Sequence, residues 1–112
     1  MAIRMTKPWQ ALTEDEVRKL PAQLGVYQLA NDDEEIVAIG FAGGRSLFGL
    51  RGELLDLVER APHGATQFRC EVNMQYQTRY RELIMLHVAD HDRLPPFNEV
   101  DPPINLGRLS PL

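Results

Sequence analysis

Two β-rich runs separated by a short polar turn constrain this chain more than any other feature. Leu24-Gly25-Val26-Tyr27-Gln28-Leu29 and Glu35-Ile36-Val37-Ala38-Ile39-Gly40-Phe41 are dominated by strand-forming residues, and Asn31-Asp32-Asp33-Glu34 lies between them. Strands joined by so short a link pair antiparallel, so residues 24–41 are expected to form a hairpin. A hairpin alone is not stable in water, and the rest of the chain must supply its cover.

The flanking segments offer that cover. Thr13-Glu14-Asp15-Glu16 reads as a capping box, in which the Thr13 hydroxyl accepts from the Glu16 amide and the Glu16 carboxylate reaches back to Thr13. A short helix over 14–20 follows, stopped by Pro21. After the hairpin, Ala42-Gly43-Gly44-Arg45-Ser46 is a glycine loop, with Ser46 placed to cap a helix through Val58. Leu47, Leu50, Leu54, Leu57 and Val58 recur at helical spacing and predict its buried stripe. Gly49 and Gly52 cost such a helix roughly 1 kcal/mol each, which points to close packing of backbone or ligand.

Pro62-His63-Gly64 ends this segment, Thr66 to Asn73 predicts a third strand, and a long helix is expected from about Gln77 to Asp90. Tyr80, Leu83, Ile84 and Val88 would face inward from it. From Arg93 onward Pro95-Pro96 and Pro102-Pro103 favour extended or turn geometry over regular helix, in a tail expected to wrap the surface. The expectation is an α/β (α+β) fold: a small three-stranded antiparallel sheet flanked by helices. A chain of 112 residues, 44% apolar and 25% charged, fits one such domain over 1–112, its core at about 20–100 and a proline-rich tail at 93–112.

Charge and cysteine usage narrow the chemistry. The net charge of −4 rules out a uniformly basic surface, yet Arg45, Arg51, Arg69, Arg79 and Arg81 are concentrated mid-chain while many acids lie between 14 and 35. The one cysteine, Cys70, permits no intrachain disulfide and reads as a buried structural thiol. With no apolar run long enough for a membrane span and no signal-peptide pattern at the N-terminus, a cytoplasmic address is the expectation.

The order of short motifs resembles the GIY-YIG nuclease superfamily. Gly25-Val26-Tyr27 after Pro21 is similar to the family's first motif, and Ala38-Ile39-Gly40 to its second, with alanine where the family has tyrosine. Arg51 best matches the family's helix arginine, and Arg45, in a loop about three residues longer than usual, is its rival. Glu82 in Tyr80-Arg81-Glu82-Leu83-Ile84 matches the metal-binding glutamate, and Pro96-Phe97-Asn98 the closing motif.

The resemblance implies metal-assisted hydrolysis of a phosphodiester in DNA or RNA. Such chemistry needs a carboxylate on Mg²⁺ or Mn²⁺, a cation at the phosphate and a group that orients water. Glu82 would hold the metal, Arg51 would face the phosphate, and Tyr27 would orient water. Arg45, Gly43, Gly44 and Asn98 would contact substrate, the two glycines through an anion-binding nest of backbone N–H groups.

Each of these residues also has an ordinary reading. Glu82 is then a solvated helix carboxylate, Arg51 a surface arginine paired with Glu53 or Glu59, and Tyr27 a half-buried tyrosine on an edge strand. Asn98 ties the tail to the sheet, and Gly43-Gly44 is a plain turn. Replacement of the second tyrosine and the acidic net charge favour the alternative of a catalytically inactive module of the same fold that binds nucleic acid or a protein partner. His87 and His91, four apart on one helix, have the spacing of a metal pair, although such pairs are usually solvated.

Overall fold

A computed structural model describes residues 3–44 and 46–100. The expected hairpin is present: β2 (Gly25–Ala30) pairs antiparallel with β3 (Ile36–Ala42), with Tyr27 opposite Gly40 and Leu29 opposite Ala38. The turn between them is held by Asn31, whose side-chain carbonyl accepts from the amides of Asp33 and Glu35. On its other side β2 pairs antiparallel with β4 (Gln67–Val72).

The sheet has four strands in the order β1-β4-β2-β3, which corrects the expected three. The extra strand, β1 (Gln10–Ala11), is two residues long and pairs with Phe68 and Gln67 at the edge of β4. A two-residue strand carries no period-2 signal, and its partner lies more than fifty residues away in sequence.

Four helices accompany the sheet: α1 (Glu14–Val17), α2 (Gly49–Arg60), α3 (Tyr76–His91) and α4 (Pro96–Val100). They divide the core into two faces. Tyr27, Leu29, Ala38 and Phe68 pack with Leu50, Leu54 and Leu57 of α2 and Val17 of α1. On the opposite face Val26 and Ile39 pack with Leu83 and Ile84 of α3 and with Met5. Strand β2 is therefore covered on both sides, which explains why all six of its residues are buried.

The helices depart from expectation at their ends. The Thr13 hydroxyl caps α1 by accepting from Glu16, but Glu16 bonds to Lys19 rather than back to Thr13, and α1 stops at Val17. Helix α2 begins two residues late because Phe48 takes a left-handed conformation, φ 65°, with no side-chain cap. Leu47 is thus not in the buried stripe but 78% exposed, and Ser46 does not cap.

The two glycines of α2 answer a backbone, not a ligand. Gly49 has φ +57°, and a Cβ there would lie 2.5 Å from the carbonyl oxygen of Gln23; one on Gly52 would lie 2.2 Å from that of Leu47. In α3, Val88 is exposed and His87, which follows Leu83 and Ile84 by one turn, takes its inward place.

Past Arg93 the prolines do not exclude helix: Pro96 opens α4, a position where its missing N–H is unneeded. Asn98 then docks α4 onto the open edge of β3, accepting from the Ile39 amide at 2.9 Å and donating to the Ile39 carbonyl at 2.9 Å. The tail beyond 100 lies outside the described residues. Among the described residues no helix is long and apolar enough to cross a membrane.

Candidate functional site

Tyr27 sits on the central strand, not at an edge, and is 8% exposed. Its ring lies across Gly40, where a Cβ would meet the hydroxyl at 2.3 Å, so a glycine opposite the tyrosine is a packing requirement. Burial pushes the hydroxyl pKa well above its ordinary 10.0, and the Glu53 carboxylate pushes it the same way. Held protonated, Tyr27 can orient a water but cannot act as a base near neutral pH.

Arg51 lies elsewhere on the same helix. The α2 side chains acting electrostatically on Tyr27 are Glu53, Arg60 and Asp56. Arg51 is two residues before Glu53, about 200° around the helix, and is half-buried. No hydrogen bond or ion pair joins it to another described residue, so the pairing expected with Glu53 or Glu59 is not formed. Glu53 instead accepts from the Ser46 hydroxyl at 2.8 Å.

Glu82 is on the other face of the sheet. Its carboxylate is 2.8 Å from Arg79, whose guanidinium also meets Glu71 at 3.0 Å and the Ile3 carbonyl. Glu71 is the register partner of Val26, one position from Tyr27 and therefore on the α3 side. The arginine side chain is only 10% exposed. Burial raises the Glu71 pKa, but hydrogen bonds from Asn73 and Arg79 and the charge of Arg79 outweigh it, leaving the group below its ordinary value. Tyr27 and Glu82 thus belong to opposite layers, although Tyr80 of α3 also acts on the Tyr27 hydroxyl.

The glycine loop is internally satisfied. The Gly43 amide donates to the Ser46 hydroxyl at 3.1 Å and the Gly44 amide to the Tyr76 hydroxyl at 3.2 Å, so an anion would have to displace both. Arg45 lies outside the described residues. Asn98 is 4% exposed and spends its side chain on Ile39. Cys70 packs against the α2-side core, and burial raises its thiol pKa, as expected of an inert thiol. Among the described residues no three His, Cys, Asp or Glu side chains gather to hold a metal.

A different site emerges at the end of the sheet where Gly25, Ala42 and Val72 meet. Helices α2 and α3 both start there, neither with an acidic residue in its first turn nor with a side-chain cap. Residues 43–52 and 72–78 contain no Asp or Glu. Leu47, Phe48 and Met74 are 78%, 69% and 74% exposed, and the half-buried Arg51 lies in the first turn of α2. Seven of the sixteen acids lie at the opposite end, in the 31–35 turn and on α1, while Glu53 and Glu71 border this one. Sequence reading missed Phe48 because it took 47–58 as continuous helix; the signal was Leu47-Phe48 flanked by Gly44 and Gly49.

A family model described as a domain of unknown function, DUF7508, matches residues 3–90. The chain belongs to that family. No curated protein and no solved structure matches it. The matched part of this DUF7508 domain takes in all four strands and nearly all of α3, and stops before α4.

Proposed function

We propose that this DUF7508 domain is a GIY-YIG-like scaffold that binds nucleic acid without hydrolysing it. The end of the sheet at which α2 and α3 start carries the reading. Two helix N-termini direct partial positive charge there, Arg51 adds a full charge, and Phe48 offers an exposed ring on which a base can stack. The distribution also bears on the net charge of −4, because seven of the sixteen acids, those of 14–16 and 32–35, lie at the far end.

The layers on which Tyr27 and Glu82 lie support a reading without hydrolysis. A metal held by Glu82 would be separated by the sheet from Tyr27, and Glu82 would first have to leave Arg79. Mg²⁺ or Mn²⁺ therefore has no part in the proposed activity.

Fluorescence anisotropy with labelled single- and double-stranded oligonucleotides tests the reading. Binding should weaken with salt, Phe48→Ala should cost about 1–3 kcal/mol of affinity, and Arg51→Ala should lower the salt slope by about one. Absence of binding at low salt, or binding indifferent to both substitutions, sinks the proposal and turns attention to a protein partner.

A further inference from the structure

Phe48 holds a costly backbone conformation and gains little burial in return. Its φ of 65° lies in the left-handed region, where a bulky residue is an outlier, yet its side chain is 69% exposed. Glycine is the residue that takes this conformation without strain. Strain of this kind persists only where the surroundings over-determine it, and it gathers at ligand-binding positions. Here the Leu50 amide donates to the Gln23 carbonyl at 2.8 Å, and the Gly49 backbone passes so close to Gln23 that no Cβ fits. The corner is fixed, and it carries the ring outward.

A second ring stands at the same end of the sheet. Phe41, 39% exposed near the end of β3, stacks on Tyr76 with centroids 5.4 Å apart and meets Tyr80 edge-on at 5.0 Å. Tyr76 also ties this ring to the loop that leads to Phe48. Its hydroxyl accepts from the Gly44 amide, and a Cβ on Gly43 would lie 2.8 Å from its ring. Cations are few by comparison: residues 41–52 and 72–78 hold two arginines, Arg45 and Arg51, and no lysine, in a chain of net charge −4.

We propose, resting on the nucleic-acid reading above, that this end of the sheet takes unpaired nucleotides in preference to a duplex, with one base stacked on Phe48 and a second on Phe41. The magnitudes favour the single strand. Duplex binding draws its affinity from phosphate contacts, on the order of 6–10 in a strongly salt-dependent complex, which two arginines cannot supply. Stacking a base on an aromatic side chain needs no charge and contributes about 5- to 150-fold in affinity per base. Bases inside a duplex are already stacked on one another, so an exposed ring reaches them only where the strand is unpaired.

The test is fluorescence anisotropy of the full chain with a labelled oligothymidylate and with a blunt duplex of equal phosphate count. The single strand should bind about ten-fold or more tighter, with a salt slope of about −1.4 or shallower, the value for two phosphates. Phe48→Leu keeps an apolar side chain but removes the π-face, and it should weaken oligothymidylate binding about five-fold or more while the melting temperature stays that of the wild type. Phe41→Leu should weaken it in the same direction. A duplex bound as tightly as the single strand, or Phe48→Leu binding oligothymidylate as the wild type does, overturns the preference for unpaired bases and leaves the nucleic-acid reading standing. Binding of neither probe at low salt overturns both.

Discussion

The two faces of the sheet are built from different physics. On the α2 face, Tyr27, Leu29, Ala38 and Phe68 meet leucines, and the titratable groups Tyr27 and Cys70 are both driven toward their neutral forms by burial. On the α3 face, apolar packing around Leu83 and Ile84 is bordered by charge: Arg79 bridges Glu71 and Glu82, and Arg69 donates to the buried Gln28 at 2.7 Å while stacking on Trp9. The difference teaches what motif order alone does not specify. Successive strand residues alternate faces, so a tyrosine on β2 and a glutamate on a helix of the other layer can share a sequence pattern without sharing a site.

The largest effect should come from restoring the missing motif tyrosine. Ala38 is 2% exposed and points into the α2-side core opposite Leu29, so Ala38→Tyr overpacks it. A loss of about 3 kcal/mol is expected, read from the urea midpoint. A wild-type midpoint would mean that the α2 face has room the packing does not show, and would revive position 38 as a functional one.

A smaller loss is expected on the other face. Arg79→Ala leaves Glu71 and Glu82 facing each other without their shared cation, at a cost of about 1–2 kcal/mol, discounted because Glu82 is about one-third exposed. Glu82→Gln should cost less, since Arg79 keeps Glu71. Equal losses for the two would show that the carboxylate of Glu82, not the arginine, is what this face depends on.

The pH profile should separate the faces by sign. His87 has a lowered folded pKa, so as pH falls below the ordinary 6.5 the unfolded chain takes the proton first and stability drops. Glu71, also lowered, contributes stability that is present above the ordinary 4.5 and lost as pH falls through its folded value. Both are on the α3 face. Tyr27, raised, contributes stability that is complete below the ordinary 10.0 and lost above it. Urea midpoints across pH should thus show an acid limb reduced by His87→Gln and an alkaline limb reduced by Tyr27→Phe; an acid limb indifferent to His87→Gln would contradict the burial of that ring.

Much of the fold was legible because its signals are local. The Asn31 turn, the β-branched runs on either side, and Leu50, Leu54 and Leu57 at helical spacing each announce an element within a few residues. What escaped depends on distant partners. Gln10 and Ala11 become a strand only because Phe68 presents an open edge, and Pro96 starts a helix only because Asn98 is held by the Ile39 backbone. The site was less legible than the fold. Tyr27 and Gly40 belong to two separate motifs in the sequence, and only the structure shows that they pair, because the ring needs the space of a missing Cβ. Arg79 and Glu82 are three apart on one helix and their pairing is readable from spacing, but no local pattern announces that Glu71 shares the same arginine, because that contact depends on how α3 lies over β4.

The central claim, that the sheet parts Tyr27 from Glu82 and leaves a binding module, is tested most directly by nicking of supercoiled plasmid and of labelled RNA in Mg²⁺ or Mn²⁺. Wild type, Tyr27→Phe and Glu82→Ala should all leave both substrates intact at protein concentrations where oligonucleotides are bound. Metal-dependent cleavage by the wild type, abolished by Glu82→Ala and slowed by about 10²-fold or more by Tyr27→Phe, would contradict it and establish the two residues as parts of one catalytic centre.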